Sequence, residues 1–468
     1  MSTTVEATST TAPHLRSDSL SFLETIGQSI ANIAPTCTPA LNIVVVAGLA
    51  GIGSWLAYLV ATIGMLFVAG NIGILARRHP MAGSYFVYIG RTLGPLAGMT
   101  SGWAIIAAYT ATAVSVIYAS ELFATAMLRS LGLDGFMPPA WLFDLIEIGL
   151  IWFLAHRDIR ISARAGLLME GISLVVITII TAIVVIRHGN HAASMQLSPS
   201  ALPMGGVMAA LTFAVFSFVG FESAATLAKE SRDPTRMIPR AVIISAGLAG
   251  LFFVLICYAM VEAVGDNADI LAKSSSPFEE ITRRAGLTWA ASVVYASALL
   301  SGFACALASL NAVSRMMFSM GRYEFLHRSM GQVHPRHQTP HQAVAAAVIL
   351  IAILCLLLTG LPTVDAFGVA GTFGTFGFLV IYLLICIVAP VDLHRDGLLR
   401  FRHVCIGSIG VLLMMFVIGG SLYPVPDYPY NLLPYIFAAY LALGAVWFTT
   451  RSARRQATLL SMQDDMET

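Results

Sequence analysis

The residues able to do chemistry in this chain stand inside apolar sequence and not in charged loops. Ser29-Ile30-Ala31-Asn32-Ile33-Ala34-Pro35-Thr36-Cys37-Thr38-Pro39 crowds an amide and several hydroxyls around two prolines, which remove two backbone donors and disturb the preceding turn. Phe216-Ser217-Phe218-Val219-Gly220-Phe221-Glu222-Ser223 sets a carboxyl group and two hydroxyls beside a glycine within an otherwise apolar run. Helices interrupted at such places expose amide ends that attract an anion and carbonyl ends that attract a cation. That is the chemistry of reversible binding to a small charged solute, not of bond making. A third carboxyl, Glu170, shares a helix face with Ser173 three residues on. It is either a proton carrier or a hydrogen-bonding group that only holds neighbouring helices. For the first break the plain alternative is a proline kink used for packing. No nucleophile, base and orienting group can be assembled from neighbouring motifs, so an enzyme is not expected.

The elements that must position these groups are membrane-spanning helices. Of 468 residues 57% are hydrophobic and 11% charged, and the mean hydropathy is +0.80, whereas a soluble domain carries about 25% charged residues. Crossing about 30 Å of hydrocarbon takes roughly 20 helical residues. Twelve stretches meet that: 22 to 49, 52 to 76, 95 to 128, 139 to 156, 163 to 187, 205 to 229, 240 to 264, 287 to 320, 342 to 361, 363 to 390, 403 to 423 and 430 to 450. The third and eighth are long enough to hold a tilted span and a short connecting turn. If the amino terminus is cytoplasmic, all of the 26 Lys and Arg except Arg129, Arg187, Lys273, Arg283 and Arg284 fall on the cytoplasmic side, which places both termini there. The two interrupted spans are the first and the sixth. Paired interruptions at corresponding positions of two halves point to a secondary transporter's midplane site.

The remaining features bound the reading further. Residues 1–18 and 451–468 read as tails, the former rich in Ser and Thr with no signal-peptide core. The six cysteines lie within or beside apolar segments and include no C-x-x-C pair, and there is no phosphate-binding G-x-x-x-x-G-K-[ST], so disulfides, a zinc site and ATP-driven transport are not expected. A net charge of +1 gives no footing for nucleic acid. Asp144 and Glu147, one turn apart, read as structural. His334, His337 and His341 have a spacing that hints at a metal, but with Pro335 and Pro340 among them they read as a solvated loop. No cofactor or metal is expected.

Three segments resemble a known family. FSFVGFESAATLAKESRDPTRMIPRAV (216 to 242) is similar to the sixth span and following loop of the amino acid, polyamine and organocation transporters. RHPMAGSYFVYIGRTLGP (78 to 95) resembles that family's loop after span two, and SLNAVSRMMFSMGRYEFLHRSMGQVHPRHQTP (309 to 340) its eighth span and the loop beyond. The resemblance implies an all-α membrane protein with a LeuT-like five-plus-five inverted repeat over residues 19–390, followed by two further spans over 391–450. Spans one and six would form the substrate site. It implies substrate contacts at Asn32, Thr36 and Ser217, with Phe216 as an aromatic gate, and the position of the two breaks adds Ile33, Ala34, Pro35, Phe218 and Gly220 to the expected binding residues. Glu222, Glu170 and Ser173 would serve coupling or gating. Two departures matter. The family's glycine-rich turn in span one is here Pro35-Thr36-Cys37, and Pro35 has no N–H for a carboxylate. Ser173 stands where proton-coupled relatives carry a lysine. The expectation is a permease of the cytoplasmic membrane, multi-pass in the lipid bilayer, that carries a small neutral amino acid by proton-linked symport or exchange, with a proton or a sodium ion as the coupling ion. An amine or polyamine carrier is the alternative, and a membrane sensor that binds without transporting is the rival of another class. The oligomeric state is not specified by the sequence.

Overall fold

A computed structural model describes residues 15–79, 84–136, 138–188, 195–274 and 277–450. Its helices in chain order are α1 (Phe22–Ile33), α2 (Cys37–Ala50), α3 (Ser54–Arg78), α4 (Ser84–Leu93), α5 (Pro95–Ser130), α6 (Ala140–His156), α7 (Ile159–His188), α8 (Met204–Phe216), α9 (Pro234–Ala263), α10 (Ala268–Ala272), α11 (Pro277–Arg284), α12 (Thr288–Arg322), α13 (His341–Leu358), α14 (Thr363–Arg395), α15 (Phe401–Leu422) and α16 (Leu433–Thr449). Among the described residues the only extended pairing is an isolated bridge between Leu20 and Ser231. Nine helical runs among them are long and apolar enough to cross a membrane, the first of them Ala40–Arg78, so the chain is a multi-pass membrane protein. The two regions long enough to hold a connecting turn contain none: α5 and α12 are single helices of 36 and 35 residues. At 1.5 Å per residue that is about 50 Å, so both project well beyond the hydrocarbon.

Small residues let these long helices approach closely. A methyl group at Gly377 of α14 would lie 2.4 Å from the carbonyl oxygen of Ala104 on α5, and one at Gly250 of α9 would lie 2.2 Å from Thr62 of α3. With lipid on the outside no hydrophobic force drives helices together, and close backbone approach supplies the packing energy.

The tail expected at residues 1–18 lies outside the described residues as far as position 14, and that at 451–468 lies outside them entirely. Leu15 packs against Phe318, Val333 and Ala343, and Arg16 pairs with Asp158 in the turn between α6 and α7. Burial works against the charge of Asp158, but hydrogen bonds from Arg160 and the charge of Arg16 outweigh it and hold the carboxyl below its usual range. The anchor is therefore fully in place above the ordinary carboxyl value of about 4 and is released only as the pH falls through the lowered value beneath it.

Candidate functional site at two helix breaks

α1 begins with a reciprocal cap: Ser21 accepts from the N–H of Glu24 while Glu24 Oε2 accepts from the N–H of Ser21 at 2.7 Å. It ends where Ala34 turns left-handed, at φ 49° and ψ 57°, immediately before Pro35. The chain restarts as α2 from Thr36, whose side chain makes no capping bond. The other break follows α8. Ser217 caps that helix, Gly220 takes φ +92°, and the chain continues as a tight 3-10 segment, Ser223–Glu230. Gly220 has no alternative here, because a methyl group on it would lie 2.4 Å from Asn32 Nδ2 in a conformation that L side chains rarely adopt.

The two breaks meet. Asn32 Nδ2 donates to the Gly220 carbonyl at 3.5 Å, and Asn32 Oδ1 accepts from Ser309 of α12 at 2.6 Å. Ser29 Oγ accepts from the Ala224 N–H at 3.0 Å, and Ser223 donates to the Gln28 carbonyl at 3.2 Å. Glu222 is fully buried. Its Oε1 accepts from the Tyr109 hydroxyl of α5 at 2.6 Å and its Oε2 from Tyr382 of α14, whose oxygen in turn faces the Gly220 N–H at 3.3 Å. Tyr85 of α4 donates to the Glu222 carbonyl at 2.6 Å. The Glu222 carboxylate thus ties the second break to α5 and α14, and its backbone carbonyl ties it to α4.

Glu170 lies on the other side of the first break. The Thr36 hydroxyl donates to its Oε1 at 3.5 Å, and its Oε2 is buried without a hydrogen-bond partner. Ser173, one turn on, is not at the breaks: its hydroxyl is shared between the carbonyls of Met169 and Ser297, both at 2.8 Å, and holds α7 to α12. Ser217 joins Asn42 Nδ2 at 3.2 Å and the Tyr58 hydroxyl at 3.1 Å. Phe216 is half-buried and packs on Phe213, with ring centroids 6.0 Å apart, whereas Phe218 is buried against Phe253 at 5.4 Å. Ile33 and Ala34 are buried in the core, and Pro35 lines an apolar cleft of about 410 Å³ with Ile30, Leu174, Ile179, Leu248 and Phe252. Apart from Thr178 the lining of that cleft is apolar, and part of it is exposed at the protein's periphery, so it offers no charge to a charged solute.

Sequence reasoning missed Tyr58, Tyr85, Tyr109, Tyr382, Asn42 and Ser309. Each is a polar group of a kind common in membrane helices, and its spacing within its helix does not mark which neighbour it meets. No set of metal ligands surrounds the breaks among the described residues; the set that could hold an ion is His156, His334 and His337, away from them.

A multi-pass helical protein with interrupted helices meeting around buried polar groups is built as a membrane transporter. The amino acid permease family model matches residues 25–448, and the chain belongs to that family. It is similar to an uncharacterized transporter of Mycobacterium tuberculosis, at 29% identity over 79% of each chain. It is also similar to the low-affinity putrescine importer PlaP of Escherichia coli, at 26% identity over 70% of this chain and 71% of the importer. The branched-chain amino acid permease BcaP of Bacillus subtilis is 26% identical over 72% of this chain and 74% of the permease.

Proposed function

We propose that this chain moves a small neutral amino acid across the cytoplasmic membrane by alternating access, and that protonation of Glu170 is coupled to substrate binding. In this reading it has twelve spans, an inverted five-plus-five repeat with two further helices, and both termini in the cytoplasm. The observation that carries it is the contact between Thr36, at the start of α2, and the carboxyl of Glu170. A half-helix amino terminus is where a substrate carboxylate is best received, and here a carboxyl of the protein faces that place. While Glu170 is ionised it repels a second carboxylate. A proton on its unpartnered Oε2 removes the charge and frees Thr36 for the substrate. The substrate ammonium then lies toward the carbonyl ends of α1 and α8, near Asn32 and Ser217, with Phe216 closing over it. Glu222 can also take up a proton in place, since the Tyr109 hydroxyl can turn from donor to acceptor while Tyr382 still donates.

An amine carrier is the second reading, favoured by Pro35, which withholds an N–H from the break, and by the similarity to PlaP. In that case Glu170 stays ionised and pairs with the substrate cation. Uptake into proteoliposomes separates the two. On the first reading Glu170→Gln mimics the protonated acid, so amino acid uptake persists and no longer rises as pH falls; decarboxylated amines do not compete, and Glu222→Gln is expressed but loses pH dependence or flux. On the second, amines displace the substrate and Glu170→Gln abolishes uptake. Absence of saturable uptake or exchange of any amino acid overturns the first reading.

A further inference from the structure

Away from the breaks, four histidines from two distant stretches converge. His156 ends α6, His334 and His337 lie in the loop between α12 and α13, and His341 opens α13. One ring nitrogen from each of His156, His334 and His337 lies within 4.8 Å of the others. The ring centroids of His156 are 5.7 Å from both His334 and His337, and His334 is 4.7 Å from His337 and 5.4 Å from His341. The loop is pinned to α6 where the Thr339 hydroxyl donates to the His156 carbonyl at 3.0 Å, and it is closed on itself by the His334 N–H donating to the Thr339 carbonyl at 2.9 Å. His341 Nδ1 is buried with no hydrogen-bond partner. A buried polar atom left in that state indicates that something else belongs there.

We propose that His156, His334 and His337 bind a divalent transition-metal ion of the zinc class, with His341 on hand as a fourth ligand. Imidazole nitrogens without carboxylates select zinc, copper, nickel or cobalt over magnesium and calcium, which take oxygen. Zinc–nitrogen bonds of about 2.0–2.1 Å put tetrahedral ligands about 3.4 Å apart, so each side chain has to close in by less than about 1 Å. Two cations are close in sequence: Arg157 carries its guanidinium over the Phe153 ring, 4.2 Å from the centroid, and Arg336, between His334 and His337, is exposed to solvent, which screens its charge. His334 Nδ1 now accepts two long bonds, 3.2 Å each, from the N–H groups of Arg336 and His337. Ligation through Nε2 moves the ring proton to Nδ1 and opens these two contacts. The ion would cross-link the end of α6 to the segment that joins α12 to α13. This inference does not depend on what is transported.

The test uses the full-length protein in detergent, with its affinity tag removed and its metal stripped, titrated with Zn²⁺ alone by calorimetry. The expected result is about one ion per chain. His156→Gln and His337→Gln should each weaken binding by more than about tenfold, since even outer-shell partners are worth that much, while the exposed His394→Gln leaves it unchanged. Melting temperatures without metal establish that the variants are folded. Should a variant not fold, Co²⁺ bound to the wild type decides: the intense visible absorption of four-coordinate cobalt supports the site, and the weak spectrum of six-coordinate cobalt overturns it. No binding to the wild type, or equal binding to His156→Gln and His337→Gln, also overturns it.

Discussion

Gly220 shows how much of the candidate site rests on a single residue. It combines a backbone conformation reserved for glycine with a side-chain position already filled by Asn32. Gly220→Ala is expected to cost about 1–3 kcal/mol of stability, the usual range for a strained backbone position, and to lower uptake by more than about tenfold because Asn32 must leave the Gly220 carbonyl. Thermal unfolding and initial uptake rates measured together check both. At this scale the sequence was legible where the residue type is out of place: a carboxyl, an amide or a proline in apolar surroundings signals itself. Glu222 and Asn32 were found in this way. Tyr109 and Tyr382, which grip Glu222, were not, because a tyrosine is at home in a membrane helix and only the three-dimensional arrangement reveals its partner.

Among elements, the close pairing of α14 with α5 makes the sharpest demand. A valine at Gly377 would drive its side chain into Ala104 and Ala108, whereas Gly149 of α6 has open space around it. Gly377→Val should therefore lower stability by about 1–3 kcal/mol, the typical cost of overpacking, and Gly149→Val should leave it unchanged; melting of the purified variants distinguishes these. Helix positions were legible because hydrocarbon tolerates only long apolar runs. The expected first stretch, 22 to 49, is filled by α1 and α2 with the interruption at Pro35. Hydropathy was silent on whether the two longest stretches hold a turn: their length left room for one, yet α5 and α12 each continue as a single helix. It also did not reveal that the span-six sequence after Gly220 winds as a 3-10 segment, since that depends on contacts with Ser29 and Gln28 of α1.

For the molecule as a whole, the junction beneath the breaks is fastened by a buried ion pair. Arg315 of α12 contacts Glu230 through two bonds, 2.6 and 3.0 Å, with side chains 2% and 1% exposed. Glu230 also offers its carbonyl to the N–H groups of Ser19 and Leu20, both at 2.9 Å, so the chain leading into α1 and the end of the 3-10 segment are held at one point. Arg315→Met alone should destabilise by about 3–5 kcal/mol, because it strands a buried charge, while Arg315→Met with Glu230→Met should recover most of that loss. Denaturation of the single and double variants measures the difference. This fastening was invisible in the sequence, where Arg315 looked like one more cytoplasmic cation. The left-handed Ala34 has a consequence of its own. A glycine there would let α1 swivel against α2, but alanine in that well followed by the fixed φ of Pro35 makes a stiff elbow, costly to set and hard to bend. On the function proposed above, the swing that admits and releases cargo would carry the two halves of the first span together as one lever, with the flexing borne at Gly220, whose residue type meets no steric barrier at either sign of φ.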